Sequence, residues 1–185
     1  MMTSSNNLIL IGMPSCGKST LGVLLAKRLA MCFMDTDIVI QEAVGMRLQA
    51  YQRVQGMAGF RALEARILSS VQCAQTVIAT GGSAVYYPEA IAHLKTLGRV
   101  VFLDVPLEAI RLRIGDFAER GVVLEPGMSL QALFATRRPL YLQHADSVIP
   151  CGDKALHELV EEVAQLMAGV HPTKSSQKSE DRDHH

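Results

Sequence analysis

The chain alternates between short, wholly apolar runs and longer stretches in which apolar residues recur every three to four positions. The first pattern marks strands buried on both faces, the second helices with one buried face. Residues 7–11 form the first apolar run, which ends at a glycine. From 18 to 30, Leu21, Leu24, Leu25 and Leu29 fall at helical spacing, and Lys27 and Arg28 sit near the C-terminal end, where cations suit the helix dipole. A short strand is predicted at 33–35. A helix at 37–44 is stopped by Gly45, and a mostly helical stretch at 48–72 is broken near Gly56 and Gly59.

Residues 76–79 are strand-like, and Thr80-Gly81-Gly82-Ser83 follows as a tight loop. The pattern then predicts a helix at 88–97, with Pro88 in its first turn and Gly98 behind its end. A strand at 99–105 and a helix at 106–114 come next. Residues 115–128 hold glycines and a proline without a sustained period, so an exposed mobile loop is expected there. Ser129 is expected to cap a helix carrying Leu130, Leu133 and Phe134, and Pro139 to precede a further short helix at 140–145. A strand at 147–149 and a helix at 153–167 complete the pattern. The polar stretch 170–185 is expected to be a disordered tail. Strands alternating with helices predict an α/β fold, a parallel sheet covered on both faces, with ligands bound at the carboxyl ends of its strands. The glycine loops after Ile11 and Ala79 fall at such ends.

Composition narrows the possibilities. At 185 residues, with 49% hydrophobic and 19% charged, the chain fits one folded domain rather than a disordered polymer. Lys+Arg and Asp+Glu are both 18, which argues against a nucleic-acid partner. It still permits a local arginine cluster for a small anion. Cys16, Cys32, Cys73 and Cys151 show no Cys-x-x-Cys spacing, so neither a zinc site nor a disulfide framework is expected. A reducing cytoplasm is the expected location. No apolar run approaches a membrane span, and the first residues do not resemble an export signal.

Gly12-Met13-Pro14-Ser15-Cys16-Gly17-Lys18-Ser19 matches G-x-x-x-x-G-K-[ST], between a predicted strand and a predicted helix. The loop must curl so that backbone N–H groups point at phosphate oxygens, and glycine permits the curl. The helix N-terminus adds positive potential, Lys18 is expected to reach the terminal phosphates, and Ser19 to ligate Mg²⁺. The alternative, a glycine loop that merely joins strand to helix, requires a chance match of about 1% in a chain of this length.

Asp35-Thr36-Asp37 ends the second strand. One carboxylate can hold a water on Mg²⁺ while the other accepts a proton from an attacking hydroxyl. Equally, Thr36 or Asp37 can simply cap the next helix. Arg61 and Glu64 lie i,i+3 on one helical face, an arrangement that suits gripping a substrate carboxylate but also fits a solvated surface pair. Asp104 ends an apolar strand like a Walker B aspartate, or else marks a strand end turned by Pro106. The Asn-Lys-x-Asp motif by which GTPases read their base is absent.

Together, Gly12 through Thr20, Asp35-Thr36-Asp37, Gly59 through Glu64, Thr80-Gly81-Gly82, Gly98 through Asp104, and Arg137-Arg138-Pro139-Leu140-Tyr141 with Ala145-Asp146 resemble the shikimate kinase family over residues 8–168. The resemblance implies a three-layer P-loop kinase fold with a five-stranded parallel sheet, in one domain over 1–169, with a mobile lid at about 115–128. It implies transfer of phosphate from ATP to the 3-hydroxyl of shikimate, on the chorismate route to aromatic amino acids, by a monomer needing ATP and Mg²⁺. Gly12, Pro14, Ser15, Cys16, Gly17, Lys18, Ser19, Thr20 and Arg113 would bind ATP, with residues 151–154 along the adenine. Ser19 and Asp35 would hold Mg²⁺. Lys18, Asp37 as base, and Arg120 of the lid would be catalytic. Asp37, Arg61, Gly81, Gly82 and Arg137 would bind the acceptor, the glycines through backbone N–H groups. Asp104 would not be a Mg²⁺ ligand.

Three departures fall on the acceptor side. Ser83 stands where the family usually has a third glycine, and Met57 follows Gly56 where a glutamate is common. The lid has Arg120-Gly121-Val122-Val123-Leu124 in place of Arg-Pro-Leu-Leu. A kinase for another small hydroxy acid or polyol, as gluconate kinases are, therefore stays open, as does a non-catalytic nucleotide-binding relative. Retention of Arg61 and Arg137 favours an acidic acceptor.

Overall fold

In the computed structural model, residues 6–114 and 128–169 are described. The expected lid, Arg120 included, lies outside the described residues except for Met128, as does the expected tail. Five strands form one parallel sheet in the order β2-β3-β1-β4-β5. They are β1 (Asn7–Ile11), β2 (Cys32–Asp35), β3 (Thr76–Ala79), β4 (Gly98–Asp104) and β5 (Ser147–Pro150). Every residue of β1 and β3 is buried, as continuous apolar runs require when helices cover both faces. The helices are α1 (Lys18–Leu29), α2 (Thr36–Val44), α3 (Leu48–Ser70), α4 (Pro88–Leu97), α5 (Leu107–Ile114), α6 (Leu130–His144) and α7 (Leu156–Met167). Among the described residues no helix is long and apolar enough to cross a membrane.

The main core surrounds the sheet, and a smaller cluster of Ile40, Phe60, Leu63 and Ile67 joins α2 to α3. The break expected in α3 is a kink at Gly56, whose φ of 69° and ψ of 177° leave the helical region. Two expectations need correction. Residues 130–144 form one helix rather than two, with Pro139 inside it. Pro139 and Ala135 are both exposed, so the carbonyl that loses its i+4 donor faces water and the helix continues. The last helix begins at Leu156, three residues later than expected, where the Ala155 N–H donates to Glu158 Oε2 at 2.6 Å.

Candidate active site

Leu10 of β1 lies beside Ala79 of β3, so the loops leaving these strands face each other at the carboxyl end of the sheet. Thr80 fastens them, its N–H and its hydroxyl both donating to the Leu10 carbonyl, at 3.2 and 3.0 Å. Beyond this seam opens a cleft of about 920 Å³. Its walls include Pro14 through Leu21, Asp37, Glu64, Gly81, Gly82, Ser83, Arg113, Arg137, Cys151 and Lys154. That volume suits a nucleotide and a small acceptor.

The loop between β1 and α1 is curled by more than its glycines. Gly12 has φ 151° and Gly17 φ 98°, but Ser15 also sits in the left-handed region at φ 61°. Such a residue costs about 1–2 kcal/mol, and alternating backbone hands turn successive N–H groups to one side. At Gly12 a Cβ would lie 2.9 Å from Cys16 Sγ and 3.0 Å from the Leu103 carbonyl, so no larger residue fits. Lys18 is buried, and its ammonium donates to the carbonyls of Gly12 at 2.9 Å and Met13 at 2.8 Å, with Cys16 Sγ at 3.6 Å. The Arg113 guanidinium reaches the Cys16 carbonyl at 3.5 Å.

The Asp-Thr-Asp segment divides its work differently from either sequence alternative. Asp35 is the cap of α2, with Oδ1 accepting from the Asp37 N–H at 3.0 Å, while its Oδ2 accepts from the Ser19 hydroxyl at 2.6 Å. This hydroxyl–carboxylate pair offers hard oxygens of the kind Mg²⁺ prefers. No cluster of three or more His, Cys, Asp or Glu side chains suited to a metal exists among the described residues. Thr36 is buried and accepts from the Gly81 N–H at 3.1 Å.

That bond corrects the role expected of Gly81. Its N–H is already engaged, and what it contributes is space: a Cβ there would fall 2.6 Å from Glu64 Oε1 and 3.0 Å from Asp37 Oδ1. A Cβ on Gly82 would meet Pro14 Cδ at 2.9 Å and Arg137 at 3.0 Å. The two glycines thus let two carboxylates, a guanidinium and the phosphate loop converge. Burial, then the neighbouring Asp35 and Glu64 charges, push the Asp37 carboxyl up to about 6, against the pull of Lys18. Burial likewise raises Glu64, opposed by the Ser83 and Tyr87 hydroxyls and by the charges of Arg137 and Arg61.

Arg137, on α6, is 6% exposed; its Nε donates to the Tyr86 hydroxyl at 3.2 Å, and its guanidinium lies 5.1 Å from the centre of the Tyr86 ring. Beneath it, Tyr141 stacks on Phe102 and donates to the Gly82 carbonyl at 2.7 Å. Arg61 is half-buried on α3, and its charge is felt by Glu64 and Tyr87. Asp104 is taken up by Arg138, with Nε and Nη2 at 3.0 and 2.7 Å from its two oxygens. A structural anchor joining α6 to β4 replaces the Walker B alternative.

Sequence reasoning missed Thr36 as a partner of Gly81, and the hydroxyls of Ser83, Tyr86 and Tyr87. Only Glu64 carried a signal, its i+3 spacing from Arg61. The three hydroxyls lie on or beside a 3-10 turn (Ala84–Tyr86), which has no periodicity to betray it.

Comparison with known proteins agrees with this geometry. The shikimate kinase family model matches residues 14–168. Shikimate kinases of Pseudomonas aeruginosa (strain LESB58) and Synechococcus sp. (strain CC9605) are each 36% identical, over 90% of this chain and 98% and 85% of theirs. A shikimate kinase from Acinetobacter baumannii, solved in complex with shikimate, superposes with a TM-score of 0.80 at 30% identity, covering 91% of this chain and 96% of that one. The Aquifex aeolicus enzyme gives 0.75 at 33%, covering 88% and 96%. With the fold and the phosphate loop in place, this chain belongs to the shikimate kinase family, kinases whose acceptor is an alcohol group.

Proposed function

We propose that this chain transfers the terminal phosphoryl group of ATP to the 3-hydroxyl of shikimate. The observation that carries the reading is the convergence, around Gly81 and Gly82, of a phosphate loop, a carboxylate made more basic by burial, and a buried arginine. Phosphoryl transfer asks mainly for positioning and charge stabilisation, and each part has a role in that.

The loop 12–19 cradles the phosphates with its N–H groups. Lys18 has three protons, two on strong carbonyl acceptors and one near a weak sulfur acceptor. A phosphate oxygen displaces the sulfur at little cost. Arg113 and Lys154, which also line the cleft, are assigned to the adenine. Ser19 and Asp35 would hold Mg²⁺, which when bound neutralises charge on the phosphates. Asp37 receives the proton of the attacking hydroxyl. Arg137, with Arg61, binds the acceptor carboxylate, and Gly82 offers its N–H. Arg120, outside the described residues, is assigned to the transferring phosphate.

Product analysis tests the reaction. After incubation with Mg-ATP and shikimate, mass spectrometry should show one added phosphate, and phosphorus–proton coupling should place it on the carbon bearing the 3-hydroxyl. Coupling to a different ring proton would contradict the assigned pose.

Two further outcomes follow from the site. A base with its pKa raised to about 6 is ionised at pH 7 and protonated below that value, so acid removes the proton acceptor. The kcat/KM for shikimate should be level above about pH 7 and fall about tenfold per unit well below pH 6. A profile flat down to pH 5 would remove Asp37 from the role of base. Asp104→Asn should lower Tm by a few degrees, because a partly exposed ion pair contributes at most about 1 kcal/mol. The Mg²⁺ concentration giving half-maximal turnover should stay unchanged; a large increase would make Asp104 a metal ligand after all.

A further inference from the structure

Helix α3 gives the cleft two pairs of side chains, one on each side of its kink at Gly56: Leu48 with Gln52, and Phe60 with Glu64. The members of each pair are four residues apart, so they share a helical face. The apolar member of each belongs to the small cluster between α2 and α3, Phe60 within it and Leu48 packed against it. The polar members differ. Both Glu64 oxygens are engaged by hydroxyls, at 2.8 and 2.6 Å from Ser83 Oγ and, for Oε2, at 2.7 Å from the Tyr87 hydroxyl. Gln52 is half-buried, and among the described residues none pairs with its side-chain amide. An amide on the wall of a binding cleft without a protein partner is available to a ligand. It carries one accepting oxygen and two donating hydrogens, so it can pair with a hydroxyl in either sense. It also adds no charge to a wall where Asp37 and Glu64 already place two carboxyls.

We propose that Gln52 is a specificity-determining residue: its side-chain amide hydrogen-bonds one of the two ring hydroxyls of the acceptor that are not phosphorylated. This rests on the shikimate reading above, in which the acceptor carboxylate goes to Arg137 and the attacked hydroxyl to Asp37. Two hydroxyls of such an acceptor then remain to be recognised, and the neighbouring Leu48 and Phe60 have no polar group to offer them. A site that pairs with a substrate hydroxyl rejects the analogue lacking it, because the amide is then covered without a partner.

Steady-state kinetics of the full chain with Mg-ATP and shikimate, 4-deoxyshikimate or 5-deoxyshikimate test this role. Gln52→Met, which keeps the length of the side chain, and Gln52→Leu should each raise the KM for shikimate about tenfold, the effect of losing one hydrogen bond. The KM for ATP should stay within about twofold and kcat within about threefold, because the phosphate loop and Asp37 are untouched. In the wild type, the analogue lacking the paired hydroxyl should show a kcat/KM about tenfold below that of shikimate. In both variants that deficit should shrink to within about twofold, while the deficit of the other analogue stays as it was; such coupling marks a direct pair. Thermal melts confirm that each variant is folded. An unchanged KM for shikimate in both variants, equal losses toward shikimate and ATP, or deficits of both analogues that the variants leave unaltered would overturn the proposal. Wild-type enzyme with shikimate separates the two readings. No product from it rejects shikimate as acceptor, whereas normal wild-type turnover without the coupling rejects only the role of Gln52.

Discussion

Replacing Asp37 by asparagine is expected to lower kcat by about 10²–10⁴-fold, the usual worth of a positioned general base. The affinity for ATP should change by no more than about twofold, because Ser19 is held by Asp35 and Lys18 by the Gly12 and Met13 carbonyls, not by Asp37. The same variant should be more stable than the parent. The Asp37 carboxyl is raised to about 6 in the fold by burial and by two neighbouring carboxylates, above the value near 3.9 of an unfolded chain. Between those values the folded protein binds more protons than the unfolded one, so stability falls as pH rises through that window and the full penalty is present at pH 7. The penalty is on the order of 3 kcal/mol. Asparagine carries no charge and relieves part of it, so Tm at pH 7 should rise by a few degrees, with a smaller gain at pH 4. Titration of ATP binding, single-turnover kinetics and melts at the two pH values check all three parts. Full turnover in Asp37→Asn would end its assignment as base.

The second large effect is expected at Arg137. Arg137→Ala removes a buried guanidinium, leaving Glu64 with less opposing charge and the Tyr86 hydroxyl without its partner. Removing one partner of the charge pair that Arg137 would form with the acceptor carboxylate costs about 2–5 kcal/mol, so the KM for shikimate should rise by about 100-fold or more. The KM for ATP should move by less than about threefold. Arg137→Lys should fall between the two, since an ammonium keeps the charge and loses the two-pronged geometry that matches a carboxylate. Arg61→Ala should act in the same direction. Equal effects on both substrates, in either arginine variant, would show that these residues support the fold rather than grip the acceptor.

Much of this architecture is legible in the sequence because its causes are local. A parallel strand such as β1 reads as an unbroken apolar run, and the loop 12–19 is dictated by backbone chemistry that few residue combinations satisfy. The kink in α3 follows from Gly56, which can take φ 69° without penalty. The boundaries that shifted are those set by long-range exposure. Pro139 stays inside α6 where it and Ala135 are both exposed, and no sequence period records which side that is. In the site, Lys18, Ser19, Asp35, Asp37 and Arg137 come together as expected. The network around Glu64 does not show in the chain, because Ser83 and Tyr87 lie 19 and 23 residues from it and carry no motif. Similarly, Thr36 reaches Gly81 across 45 residues, so the engagement of that N–H appears only once β2 and β3 are paired.

Shikimate is the acceptor this site is proposed to serve. The most direct measurement is ADP release from Mg-ATP by the purified full chain, with shikimate, quinate and gluconate supplied separately at equal concentrations. Fast turnover is expected with shikimate, and at least about 100-fold lower kcat/KM with the other two. Preference for gluconate or quinate, or ATP binding without release of ADP in the presence of shikimate, would contradict it.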